Sequence, residues 1–99
     1  MMTKEVKLWV NDSAIPVDYF VEGFIDHTVG GMVTVLEGVG EIKTLVLTID
    51  GDEVSILLND EKLPANRFVS TIFKSTVSGM VSVLKGVQDT KKIKIDIKR

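Results

Sequence analysis

The chain has 99 residues, of which 44% are apolar and 26% are charged, with a formal net charge of −2. This length suits one folded domain, and the apolar fraction is too high for an intrinsically disordered protein. The absence of cysteine excludes disulfide bonds, thiolate metal sites and cysteine nucleophiles. The slightly acidic charge balance does not favour nucleic-acid binding.

The first predicted element is a strand near the N-terminus, because apolar and polar side chains alternate from residue 5 to residue 10. Val6, Leu8 and Val10 are expected to face a core, whereas Trp9 is expected to face away from it. The Asn-Asp-Ser sequence that follows is typical of a turn. We expect this turn to end the strand.

A helix is predicted next, with Asp18 as its N-cap, because an aspartate side chain accepts a hydrogen bond from an N–H of the first turn. Gly38 is expected to end this helix as a left-handed C′ residue. Phe20, Phe24 and Val35 lie off the main apolar stripe of the helix. One sheet covers only part of such a perimeter, so the remainder is expected to meet the other helix or a second subunit.

A second strand is predicted around residues 44–49, with Leu45, Leu47 and Ile49 facing inward and Val46 facing outward. Asp-Gly-Asp at residues 50–52 is typical of a hairpin turn. The chain is therefore expected to reverse direction there.

The remaining chain repeats what precedes it, since residues 53–97 match residues 5–49 at a constant offset of 48, with more than a third of the paired positions identical. The repeat predicts a second strand–helix–strand unit, in which Leu57 faces outward, Asn66 is the N-cap and Gly86 is the C′ residue. About 48 residues bury too little core to fold comfortably alone. We therefore predict a single domain over residues 1–99, whose two halves share a core about a pseudo-twofold axis.

The predicted fold is α+β, a two-layer βαββαβ sandwich with both helices on one face of a four-stranded sheet, because one sheet face is apolar and the other mixed. Right-handed crossovers leave two main strand orders. The ferredoxin-like split βαβ arrangement, 4-1-3-2, is expected, and 1-2-3-4 is the alternative. The lysine-rich last strand is expected at a sheet edge in both.

Gly31 and Gly79 occupy equivalent mid-helix positions, where glycine costs about 1 kcal/mol relative to alanine. Close crossing of the two helices at these glycines would offset that cost, and close packing on the sheet is the alternative. The Gly30-Gly31 pair matches neither of the common phosphate-binding loop motifs.

Catalytic and metal sites are not predicted. His27 is the only histidine, and the residues four positions away, Gly23 and Gly31, offer no second ligand. No serine lies in a G-x-S-x-G elbow. We therefore expect a non-enzymatic protein without a cofactor.

A candidate binding patch is predicted on the open sheet face, formed by Trp9, Val46 and Leu57. Residues 1–50 hold three basic and eight acidic side chains, for a charge of −5, whereas residues 51–99 hold nine and six, for +3. Opposite charges of this kind would help neighbouring subunits align. The prediction is thus a small interaction module that forms homo-oligomers.

The alternative is a small-ligand sensing domain, which would be similar to ACT domains in the order of its elements alone. A partner other than a second copy would be an unidentified protein or small ligand. No signal-peptide layout and no uncharged apolar span is present, so a cytoplasmic protein with neither a membrane nor a nucleic-acid partner is expected.

Overall fold

A computed structural model describes residues 5–36, 40–87 and 89–99 of the chain. The described chain forms two helices and one antiparallel sheet of six strands. The elements in chain order are β1 (Glu5–Val10), β2 (Ser13–Ile15), α1 (Tyr19–Thr34), β3 (Thr44–Asp50), β4 (Glu53–Leu58), β5 (Glu61–Leu63), α2 (Arg67–Ser82) and β6 (Lys92–Lys98). The strand order across the sheet is β2-β1-β6-β3-β4-β5.

The predicted ferredoxin-like arrangement, a four-stranded sheet with both helices on one face, is contradicted by the number and order of the strands. The sheet has six strands, and its central pair is β6 and β3, so neither 4-1-3-2 nor 1-2-3-4 describes it. The last strand, expected at an edge, lies between β1 and β3. Its Ile93, Ile95 and Ile97 are fully buried, and a central position covers such side chains better than an edge does.

The two additional strands begin at the Asn-Asp turns. Asn11 and Asp12 have φ angles of 50° and 68°, and the equivalent Asn59 and Asp60 have the same values. Positive φ at both central residues defines a type I′ turn, whose twist matches that of a two-stranded antiparallel ribbon. The chain therefore folds back as a hairpin at each turn, forming β2 beside β1 and β5 beside β4.

The turn asparagines also hold the segments that lead from each helix into the next strand. The Asn59 side chain donates a hydrogen bond to the Glu41 carbonyl at 2.8 Å and accepts from the N–H groups of Lys43 and Thr44 at 2.8 and 3.0 Å. Asn11 makes the equivalent contacts with the segment before β6, donating at 2.6 Å and accepting at 2.9 Å. Each side chain thus fixes the described residues that come directly before the next strand.

The hydrophobic core joins residues from both halves of the chain. Ile95 pairs with Leu8 on one side and with Leu47 on the other, and Leu47 pairs with Ile56, so one apolar row crosses four strands. The helices complete this single cluster with buried residues at helical spacing, which are Ile25, Val29, Val33, Phe73, Val77 and Val81.

The helices begin at the caps expected from the sequence but end earlier than expected. Asp18 and Asn66 are the N-caps, and their side chains accept hydrogen bonds at 2.8 Å from the third N–H beyond each cap. The C-caps are Val35 and Val83 rather than residues beside the predicted glycines. Gly86 has a φ of 91° in a turn beyond α2, and the predicted role of Gly38 falls outside the described residues.

Gly31 and Gly79 do not mark a close approach of the backbone to another element. Both are exposed, and a β-carbon added at either position would have no neighbour within 4 Å. The predicted helix crossing is therefore wrong, and so is the alternative of close packing on the sheet. The two glycines leave open space above the outer surface of each helix.

Replacing Asn59 with alanine is expected to lower the free energy of unfolding by about 2–4 kcal/mol, because three hydrogen bonds are lost and a β-carbon enters the left-handed region. Asn59→Gly loses the hydrogen bonds but tolerates positive φ, so it is expected to be about 1 kcal/mol more stable than Asn59→Ala. Urea denaturation measures both values. A wild-type midpoint for Asn59→Gly would contradict the role assigned to the side-chain contacts.

Candidate interaction surface

The described residues form no cluster of three or more histidine, cysteine, aspartate or glutamate side chains that could hold a metal ion. In the same part of the chain, neither helix has the length and apolarity needed to cross a membrane. His27 is exposed on α1.

One ion pair ties the end of the chain to α1. Asp26 is the only charged side chain that is buried among the described residues, and Arg99 donates from Nε to its Oδ1 at 2.8 Å. The Arg99 guanidinium also donates to the Asp26 carbonyl at 3.3 Å. It lies against Gly30, where a β-carbon would overlap it. Gly30 therefore allows the close approach of the Arg99 guanidinium, whereas Gly31 has no such neighbour.

The equivalent position on α2 carries the opposite charge. Lys74 corresponds to Asp26 in the repeat, and its Nζ lies 2.5 Å from Oδ1 of Asp52 in the turn after β3. This hydrogen bond and the Lys74 charge lower the pKa of the Asp52 carboxyl below its ordinary value. The pair sits in a groove of about 580 Å³ that is also lined by Arg67, Ser70 and Thr71. The Asp52 carboxylate in this groove is thus already paired with Lys74 of the same chain.

The predicted sheet-face patch is only partly brought together. Val46 and Leu57 are direct cross-strand partners. Trp9 lies on β1, and β6 and β3 separate it from Leu57, a distance on the order of 14 Å at the usual strand spacing. Lys94 pairs with Trp9 across the strands and places its Nζ 5.2 Å from the indole ring centroid. The three residues therefore do not form one continuous apolar surface.

A larger exposed apolar surface lies on the outer faces of the helices. Phe20, Phe24 and Val35 on α1 are 75%, 49% and 82% exposed, and the first two rings stack with centroids 6.2 Å apart. Their spacing of four and eleven residues places them on the side of the helix opposite the buried Ile25 and Val29. We call this set, together with Gly31, the α1 stripe.

The second helix presents the same arrangement. The α2 stripe consists of Phe68, Ile72, Gly79 and Val83, which are the repeat equivalents of the four residues of the α1 stripe. Its three large side chains are 70%, 41% and 81% exposed. Each stripe thus has large side chains at its two ends and an open glycine between them.

The sequence indicates the α1 stripe, because its large residues lie off the side of the helix that faces the core. The residues named as the predicted site lie on the sheet, and the remaining helix surface is the alternative location. The available signal was the repetition of exposed apolar residues and glycine at matching positions in both helices. Comparison of the chain with protein-family models, with curated proteins and with solved structures gives no match.

The neighbouring glycines of α1 are expected to respond oppositely to alanine. Gly30→Ala should lower the free energy of unfolding by about 1–2 kcal/mol, because the methyl group displaces Arg99 from the buried Asp26 carboxylate. Gly31→Ala should raise it by about 0.5–1 kcal/mol, because alanine favours the helix and meets no obstruction. Urea denaturation at low protein concentration measures both.

A control for this comparison removes the obstructing side chain. In an Arg99→Ala background, Gly30→Ala is expected to lose its destabilising effect, because the methyl group then has room. An equal destabilisation in both backgrounds would show that Arg99 is not the cause.

Proposed function

We propose that this chain is a non-enzymatic interaction module that binds a second copy of itself through the outer faces of α1 and α2. The observation that carries the proposal is the pair of helix stripes, whose six large apolar side chains are between 41% and 82% exposed. Soluble monomers rarely leave large contiguous apolar patches uncovered. A partner that covers the stripes would remove this surface from water.

The exposed area supports an interface of ordinary size. Tyr19 is 92% exposed beside the α1 stripe, and the four exposed aromatic side chains of the helices present on the order of 500–600 Å², taking about 200 Å² for each full ring. Stable interfaces bury about 800 Å² per partner. The aliphatic side chains of the stripes, Val35, Ile72 and Val83, add exposed apolar area to that of the aromatic rings.

A second copy fits this surface because both stripes have the same layout, with large apolar side chains on either side of an open glycine. One stripe can therefore cover another and remove the apolar side chains of both from water. The ion pairs described above support a non-enzymatic role. Asp26 is paired with Arg99, and Lys74 is paired with Asp52.

The alternative, a small-ligand sensing domain, rested on the order of elements that the sequence shares with ACT domains. The likeness assumed a ferredoxin-like sheet, which the strand order does not support. The groove beside α2 is lined mainly by polar and charged side chains, whereas ligand pockets are mostly apolar. No contact among the described residues favours this alternative, and a rise in thermal stability with a metabolite would be the result that revives it.

Substitution of both stripes tests the proposal. The wild-type chain is expected to be a dimer by light scattering at tens of micromolar, and the Phe20→Gln, Phe68→Gln double variant is expected to be a monomer. Each phenylalanine contributes roughly 2–3 kcal/mol if fully covered, and a symmetric dimer loses it twice. Both side chains are at least 70% exposed, so the fold should be retained.

The matched control is Trp9→Gln, which makes the same kind of substitution on the open sheet face. It is expected to leave the dimer intact. Conversion of the dimer to a monomer by Trp9→Gln alone would place the interface on the sheet instead of the helices. A wild-type chain that stays monomeric at high micromolar concentration would contradict self-association on either surface.

A further inference from the structure

A twofold axis that brings the helix layers of two copies face to face makes the facing helices antiparallel. β1 and β4 are separated by two strands in a wholly antiparallel sheet, so α1 and α2, which follow them in equivalent positions, run in roughly opposite directions. The axis can lie across the helices, which pairs α1 with the partner's α1, or along them, which pairs α1 with the partner's α2. The facing helices are antiparallel in both cases.

The α1 stripe is symmetric in its spacing and complementary in its side-chain sizes. Phe20 and Val35 lie at equal distances on either side of its middle. Phe24 and Gly31 form the inner pair, with a large side chain on one side and no side chain on the other. When an antiparallel copy of the stripe is aligned on the same middle, each Phe24 therefore lies opposite the partner's Gly31.

This register is the same whichever helices meet. The repeat places Ile72 and Gly79 of α2 at the positions that Phe24 and Gly31 occupy in α1. An α2 stripe aligned on an α1 stripe therefore sets a large side chain over a glycine at both inner positions, as two like stripes do. The fit of side chain to glycine thus does not depend on which of the two symmetric arrangements forms.

We propose that Gly31 and Gly79 are the sockets of the self-association contact, and that each receives Phe24 or Ile72 of the partner subunit. This inference rests on the proposed function and specifies which side chains fit together in it. Both glycines have open space above them, and both large side chains are exposed. Seating an apolar side chain in each socket lets the helices approach closely and removes both surfaces from water.

The floor of each socket can be covered by an apolar side chain without leaving a polar group unpaired. Both glycines lie in the last turn of their helices, where carbonyl groups lack a helical partner. The Thr34 hydroxyl donates to the Gly31 carbonyl at 2.8 Å, and the Ser82 hydroxyl donates to the Gly79 carbonyl at 2.9 Å. Displacing water from these carbonyls therefore leaves each of them with a hydrogen bond from its own chain.

Filling both sockets tests the contact. The Gly31→Leu, Gly79→Leu double variant is expected to raise the dimer dissociation constant at least about tenfold, because the added side chains collide with those of the partner. The same variant, diluted until it is monomeric, is expected to unfold at a higher urea concentration than the wild type, since leucine favours a helix and a β-carbon there meets no neighbour. Sedimentation equilibrium and urea denaturation measure the two effects.

The opposite signs of these effects separate a blocked contact from a damaged fold. If the space above the glycines stays empty in the dimer, the two leucines only add exposed apolar surface, and association is then as strong as in the wild type or stronger. That outcome would overturn the proposal and leave self-association standing.

Exchanging socket and large side chain tests the register itself. Adding Phe24→Ala and Ile72→Ala to the two leucine substitutions keeps the total side-chain volume similar and sets each leucine opposite an alanine of the partner. This variant is expected to recover affinity by at least about fivefold over the double leucine variant. Adding Phe20→Ala and Phe68→Ala instead is the matched control and should recover none, because these residues lie opposite the valines at the ends of the stripes.

Equal recovery by both pairs of alanine substitutions, or recovery by neither, would overturn the register while self-association stands. A wild-type chain that is monomeric throughout would defeat the proposed function, and this inference with it.

Discussion

The central placement of β6 is the constraint on which the rest of the structure depends. Its three isoleucines are fully buried, and it pairs with β1 on one side and β3 on the other. Because β1 and β3 belong to the first repeat and β6 to the second, the central strand pairs join the halves directly. Exchanging each strand with its repeat equivalent gives the same strand order read from the opposite edge of the sheet. The sheet therefore has the twofold symmetry expected from the sequence repeat.

Equivalent positions in the two halves make the same structural contacts, although the halves differ in charge. The turn asparagines have the same φ angles and hold the segment before β3 or β6 in the same way. The helix position occupied by Asp26 in one half and Lys74 in the other forms an ion pair with the end of a strand in both. This helix position thus carries opposite charges in the two halves and is ion-paired in both.

The outer surfaces of the sheet and helices differ in a way that bears on function. The open sheet face carries mainly charged and hydroxyl side chains, and Lys94 lies over the ring of Trp9. The outer helix faces instead present aromatic and aliphatic side chains around an open glycine. A glycine in the middle of an exposed helix weakens that helix, so its presence at matching positions in both helices is accounted for if something packs closely there.

The sequence by itself determined the local features of this protein, namely the strand alternation, the caps at Asp18 and Asn66 and the apolar residues of α1 that do not face the core. These follow from periodicity and from hydrogen bonds between near neighbours. The tertiary structure alone decided the strand order, because alternation shows which side of a strand is buried but not which strand lies beside it. The tertiary structure also gives the adjacent glycines different environments. Only the folded chain brings Arg99 against Gly30 and leaves open space above Gly31.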